Sequence, residues 1–469
     1  MLNRNAAGSG LLMAAMVLAG ACADIPPTKP LAFDEPVSLF ARAPDNRSSF
    51  TGTLDHEFVR LAREIPGFGG IFYDESGALN VVMAPVVAPM ASAELRQRLA
   101  ARLEAMGQPA GAAQGVRVRE GKYDFLQLFE MRQRVDQAVW GLQGIVFTDA
   151  DEAANRVAIG VEDASAAASV ERAVAMLGLP REAVILRQTA PLRFTDEGGT
   201  VGTLSGHTLQ DLVRPVAGGL GIWSDGLSDD CALGFNVRSP EAPNVHGFVI
   251  HSLCTTHPYS SGPVGTSYWQ PHPGWADSFI GTEVHDAPPF TGGACPPNPS
   301  PSWLGCRWSS AAGARYAPGV PNAFGRIYRT TGVNTGSIVI DLEHPTFEIV
   351  DELPFAVLGQ VVHKVGQYTG WTQATVDATC VTLVVGFGGN GLTNAVTFLC
   401  LQRATQAIDF GVVDEGPVFV RAGEHEAHLL GLVTLGIGDS YLFSPMAQIR
   451  LENPPPPGRS WRTFPPPTP

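Results

Sequence analysis

Attack on a carbonyl carbon needs a hydroxyl nucleophile, an imidazole to take its proton, and a carboxylate to fix that imidazole's tautomer. The sequence offers scattered candidates for all three parts. His251 lies in the apolar run GFVIHSLC, a Gly-Asp-Ser triplet at 438–440 presents Ser440, and Asp414 and Glu415 are adjacent carboxylates in GVVDEGPVFV. Each also has a plainer reading. Gly-Asp-Ser is ordinary turn composition, neighbouring carboxylates usually point apart into solvent, and a lone histidine without an apparent nucleophile is a polar residue at a cleft edge. Were Asp414 and Glu415 to meet His251 in a cleft, burial would raise their pKa values and acid–base chemistry would follow.

The other reactive groups are seven cysteines. Residues 1–21 carry Arg4, an apolar run at 11–18 and small residues leading to Cys22, which reads as an export signal rather than a membrane span. The string LAGAC has the form of a bacterial lipobox, which would make Cys22 the lipidated mature N-terminus and the membrane a partner through that anchor. Ordinary cleavage at the small-x-small site Ala21-Cys22-Ala23 is the alternative, and it would release a secreted protein. Six cysteines remain: Cys231, Cys254, Cys295, Cys306, Cys380 and Cys400. An even number suits an oxidising compartment, and of the fifteen connectivities six cysteines allow, pairing sequence neighbours (231 with 254, 295 with 306, 380 with 400) closes the shortest loops. No CxxC or histidine-rich spacing suggests a metal site, and no cofactor is expected.

With 45% apolar and 16% charged residues over 469 positions, the chain has enough material for real cores and too much length for one of ordinary size. A formal charge of −14 argues against nucleic acid, because phosphate binding needs clustered Lys and Arg.

The elements that must position these residues fall into two blocks. Residues 22–55 read as a Pro-rich tether. From 56 to 190 strand and helix signals alternate: a hairpin around Ser76-Gly77, an amphipathic helix with Leu95, Leu99 and Leu103 stopped by Gly107, and a second helix at about 123–142. Another hairpin, a helix over 164–179 and a strand complete the block. The order predicts an α+β layer with helices on one face of an antiparallel sheet. Residues 191–217 read as a linker. From 218 to 452 the texture becomes short strands with frequent Gly and Pro, holding all six remaining cysteines, as in a β-barrel or sandwich. The tail 453–469, NPPPPGRSWRTFPPPTP, cannot form helix or central strand and reads as solvated.

Several segments of the second block resemble the chymotrypsin-like serine proteases, in their secreted bacterial branch of the α-lytic and streptogrisin kind. GGLGIWSDGLSDDCALGFNV looks like the opening strands, GFVIHSLC like GFVTAGHC, and GVVDEGPVFV lines up without gaps on GGDSGSPVFV. HKVGQYTGWTQATVDATCV is similar to the branch's HKVGRTTGWTxGxV and is the most specific of these matches, while LLGLVTLGIGDSYLFSPMAQI resembles the last strand pair. The resemblance implies a double β-barrel of two six-stranded antiparallel barrels with the active site between them. By layout and position, the first block resembles the family's propeptide, which assists folding.

The resemblance also implies that the family's chemistry is missing. Leu253 falls where the histidine should be, Ser310 of CRWSSAAGARY where the aspartate should be, and Asp414 at the nucleophile, with Val412 and Val413 in place of the glycine and aspartate that shape the oxyanion hole. A shift of one residue would put Glu415 at the serine and still give no hydroxyl. The expectation is a catalytically inactive homologue, lipid-anchored in the cell envelope, gripping an extended peptide or protein in the former substrate cleft by strand addition. Two alternatives stand beside it: an active serine endopeptidase using His251 with Ser440 or Ser310, and an envelope lipoprotein for which the fold is only a scaffold.

Overall fold

The computed structural model describes residues 38–87, 90–109, 111–189, 207–225, 230–259, 265–298, 300–387, 394–407, 415–437 and 439–466. The segment 1–21 read as an export signal, Cys22, Asp414 and most of the linker lie outside them.

The first block is built twice from the same parts. Helix α1 (Leu54–Glu64), hairpin β1 (Phe68–Tyr73) and β2 (Leu79–Met83), helix α2 (Ser92–Ala105) and strand β3 (Arg117–Glu120) form one unit. Helix α3 (Phe125–Val139), hairpin β4 (Ile145–Asp151) and β5 (Arg156–Val161), helix α4 (Ala164–Met176) and strand β6 (Val184–Gln188) form the other. In each unit the hairpin is antiparallel and the strand after the helix returns parallel to the second hairpin strand. There are thus two small mixed sheets rather than the single antiparallel sheet expected, because each hairpin–helix–strand closes on itself. Local signals set the helix ends: Thr53, Asp124 and Asp163 accept from the backbone N–H three residues on, Asp124 and Gln127 closing a capping box, and Gly107 at φ +72° follows α2.

The remaining chain is almost entirely strand. It comprises β7 (Val216–Gly218), β8 (Gly221–Ser224), β9 (Asp230–Ala232), β10 (Phe235–Ser239), β11 (Ala242–His251), β12 (Ser267–Trp269), β13 (Phe279–Asp286), β14 (Trp303–Arg307) and β15 (Ala311–Tyr316). There follow β16 (Asn322–Tyr328), β17 (Thr346–Glu352), β18 (Val361–Gly366), β19 (Gly370–Phe387), β20 (Asn394–Gln406), β21 (Pro417–Arg421), β22 (Glu426–Ile437) and β23 (Ser440–Pro445), then the short helix α5 (Met446–Glu452). In the second half β18, β19, β20, β23, β22 and β21 pair in a ring that closes when β21 meets β18. The first half is a curled seven-stranded sheet in the order β10-β11-β15-β13-β12-β8-β9, left open among the described residues. This is the double β-barrel expected, with one barrel closed and the other a strongly curled sheet rather than a six-stranded ring.

The segment read as a tether and the tail read as solvated are both packed. Within the 22–55 tether, Leu39 and Phe40 are buried in the core of the first barrel, Phe40 lying edge-on to Trp461. In the Pro-rich tail Trp461 is also buried, its indole donating to the Asn453 carbonyl, and Arg462 makes a two-way backbone bridge with Arg238. Proline denies both segments a sheet interior but leaves them able to lie along one, and each carries aromatic area that stabilises it there.

The α+β module and the closed barrel share a sheet. Thr148 on β4 pairs with Thr382 on β19, which carries the barrel's strands through to β5 and β6. Under the junction Trp140, Val146 and Phe147 of the module join Leu253, Tyr259, Val381, Phe398 and Leu401 in one apolar cluster.

Candidate functional site

Strand register brings the candidate residues together. β11 and β15 are antiparallel neighbours with His251 opposite Ala311, so the last side chain of β11 meets the residue just before β15, which is Ser310. The Ser252 N–H bonds the Ser310 carbonyl at 3.0 Å and locks that corner. Ser310 Oγ lies 2.8 Å from His251 Nε2 and 3.0 Å from the Tyr259 hydroxyl. On the other side of the ring, His251 Nδ1 stands 3.3 Å from Glu415 Oε1, longer than a tight hydrogen bond.

The order carboxylate, imidazole, hydroxyl is that of a catalytic triad. His251, expected to be a polar residue at a cleft edge with nothing to serve, is instead 1% exposed and bonded to a hydroxyl. Ser310, however, is wholly enclosed at 0% exposure. Its N–H donates to Ser444 Oγ, which in turn bonds Thr434 Oγ1, and its Oγ is already engaged by two rings. Among the described residues, this oxygen presents no open face to a substrate carbonyl. Tyr259, also buried, has its phenol pushed well above the usual range, by burial first and against the opposing hydrogen bond from Ser310, so it stays neutral.

A buried ion network holds this corner. Arg307 pairs with Asp286 at 2.6 Å and with Glu452 at 3.2 Å, all three side chains fully enclosed. Asp286 accepts from Ser252 Oγ and from the Tyr259 N–H; Glu452 accepts from the Trp308 and Ser309 N–H groups, from Ser309 Oγ and from Arg47. Two cations and two carboxylates thus satisfy one another and fix the chain on either side of Ser310. Sequence reasoning missed Tyr259, Arg47 and this network, since nothing in local spacing links residues 47, 259, 286, 307 and 452.

Leu253 sits on the 3-10 turn after β11, 8% exposed, in the apolar cluster shared with the module. It is a packing residue. Ser440, read in sequence as part of a turn, opens β23 opposite Thr405, and its hydroxyl bonds Thr405 Oγ1 at 2.8 Å and Asp439 Oδ1 at 3.0 Å. The disulfides are Cys231–Cys254, Cys295–Cys306 and Cys380–Cys400, the neighbour pairing. Cys254 Sγ lies 3.2 Å from Glu415 Oε2, but being oxidised it has no proton to give, so that contact is packing.

No protein-family model matches the chain, and no curated protein matches it. Three solved structures similar to it are Thermobifida fusca protease A (18% identity, 50% of this chain and 93% of that one, TM-score 0.32), Nocardiopsis protease (16%, 50% and 94%, TM-score 0.31) and Cellulomonas bogoriensis chymotrypsin (19%, 53% and 99%, TM-score 0.32). Each of the three is a protease to which this chain is similar over about half its own length.

Proposed function

We propose that the chain is an exported, catalytically inactive homologue of the chymotrypsin-like serine proteases, which keeps its propeptide-like module docked and binds a peptide or protein. The enclosure of Ser310 Oγ carries this reading, because a nucleophile must reach its substrate and this hydroxyl is spent on His251 and Tyr259. Leu253, which has no lone pair and packs in apolar surroundings, supports it. Three disulfides fit an oxidising compartment. Peptide binding in the former substrate cleft would use backbone strand addition, which needs no triad. Envelope anchoring would follow from lipidation of Cys22, tested by incorporation of a labelled fatty acid that Cys22→Ser abolishes.

The competing reading, an active endopeptidase, is favoured by one observation: the run Glu415, His251, Ser310 has the composition and order of a triad. A fluorophosphonate probe on the full chain separates the two. No adduct and no peptide hydrolysis above buffer is the expected result; labelling at Ser310 that His251→Ala removes would overturn the proposal.

A further inference from the structure

Two turns side by side on the second barrel gather three metal-ligating side chains that the reading above leaves unused. Strand β17 runs parallel to β22 with Glu348 opposite Glu426, so the residues just before each strand lie at the same end. These are His344 in the turn before β17, and Glu424 with His425 in the β21–β22 hairpin turn.

The turns are tied to each other and within themselves. The Glu348 N–H donates to the His425 carbonyl at 2.7 Å, and Ala422 closes the hairpin on the Glu426 carbonyl. Asp341 accepts from the Glu343 and His344 N–H groups. Arg329 spans both turns, with Nε 3.3 Å from Asp341 and Nη1 on the Glu424 carbonyl and 3.1 Å from His425 Nδ1. The imidazoles of His344 and His425 face each other with centroids 4.0 Å apart, and Glu424 Oε1 stands 3.8 Å from His425 Nε2. One ligand atom from each of His344, Glu424 and His425 lies within 4.8 Å of the other two.

We infer that His344, Glu424 and His425 form a binding site for a borderline divalent cation, zinc being the type, with water completing the shell. Two imidazoles and a carboxylate are the ligand set that zinc, nickel and copper prefer, whereas calcium and magnesium require oxygen ligands. Bonds of about 2.0–2.2 Å bring tetrahedral ligand atoms to roughly 3.3 Å apart, so the side chains must close by about an ångström. His344 and Glu424 are exposed and free to turn, and a cation enters directly from solvent. The Arg329 guanidinium donates to Nδ1 of His425, which leaves the neutral ring's proton on Nε2. Binding through Nε2 moves that proton to Nδ1 and turns Arg329 wholly to Asp341 and the Glu424 carbonyl.

Isothermal titration of the metal-free full chain with zinc chloride tests this. One zinc per chain is expected, displaced by nickel and not by calcium, with affinity falling at least about tenfold in His344→Ala and in His425→Ala and unchanged in Glu343→Ala. A tetrahedral visible absorption band of the cobalt(II) form, lost in both histidine variants, is the second readout. The protein has eleven histidines, so zinc bound with equal affinity and stoichiometry by the double variant His344→Ala, His425→Ala would overturn the site, as would no binding at all.

Discussion

Ser310 Oγ stands 2.8 Å from His251 Nε2, and neither side chain reaches solvent. The pair comes from opposite ends of a register match: β11 ends in His251 and β15 begins just after Ser310, so the contact is an outcome of sheet geometry. The sequence resemblance puts Ser310 where such proteases carry their carboxylate, and here the carboxylate, Glu415, approaches from the far side of the ring. Ser310 is wholly enclosed while the Glu415 side chain is 20% exposed, so the carboxylate end of this polar run is the more open one.

Ser310→Ala should therefore change stability and not activity. The substitution removes one partner from each of two buried groups, the Tyr259 hydroxyl and His251 Nε2, which costs about 1–3 kcal/mol. Urea denaturation should show the midpoint fall, while peptide hydrolysis stays at the buffer rate in both proteins. A measurable hydrolysis in the parent that Ser310→Ala abolishes would contradict the enclosure argument.

Placing a histidine where the sequence resemblance expects one, by Leu253→His, should also fail to create activity. Leu253 is packed among Tyr259, Phe398, Leu401 and the module's Trp140 and Phe147, so an imidazole there loses water without gaining an evident partner. A cost of about 1–3 kcal/mol is expected, read by thermal melting, with no fluorophosphonate adduct.

Local signals carried most of the fold and little of the site. Helix α2 was legible from the spacing of Leu95, Leu99 and Leu103 and its Gly107 stop, α3 and α4 as helical stretches between the hairpins, and the neighbour cysteine pairing as the one that closes the shortest loops. Strand β3, RVRE, was not, because all four of its side chains are exposed and it has no apolar alternation to read; it is a strand only because α2 returns it to β2. Leu39 and Phe40 lie in a segment that reads as a Pro-rich tether and Trp461 in a tail that reads as solvated, and only the barrel surface they cover makes them core. The motif frame drew attention to Ser310 and Leu253 as positions departing from the pattern it resembles. That His251 turns toward Ser310, and that Glu415 arrives from 164 residues further along the chain, depends on pairings that no local pattern encodes.

The seam between module and barrel should weaken as pH rises. Glu152 is fully buried against β19, accepting from Thr379 Oγ1 at 2.9 Å, and Asp149 is buried nearby; both carboxyls are held well above their ordinary range, by burial first and then, for Glu152, by the charges of Asp149 and Asp55. For a raised folded-state pKa, the neutral form's stability is fully present below the unfolded value, about 4, and is lost as pH climbs through the folded value. Stability should thus decline from weakly acidic toward alkaline pH. Glu152→Gln keeps an acceptor for Thr379 and cannot ionise, so it should flatten that decline, matching the parent near pH 4 and exceeding it at pH 8 in denaturant titrations. An unchanged slope would remove Glu152 from the account.

The mature protein should remain a single chain carrying residues on both sides of Thr189. Beyond the Thr148 and Thr382 pairing, Arg132 of α3 reaches across the seam, donating to Thr382 Oγ1 at 2.8 Å while holding Asp55 at 2.6 Å, with the arginine and aspartate side chains 6% and 0% exposed. Under the proposed inactivity nothing in the chain removes the module, and these contacts would hold it in place. Asp55 is pushed up to about 6, burial outweighing the attraction of Arg132, so its charge needs that guanidinium most above this pH. Arg132→Met strands the carboxylate and should cost about 3–5 kcal/mol at pH 8 and less at pH 5, where Asp55 accepts a proton. Limited proteolysis at pH 8 should then release the module from the variant and not from the parent. Immunoblots of native cell fractions should find the full-length form, and a stable fragment beginning after residue 189 as the main species would refute retention.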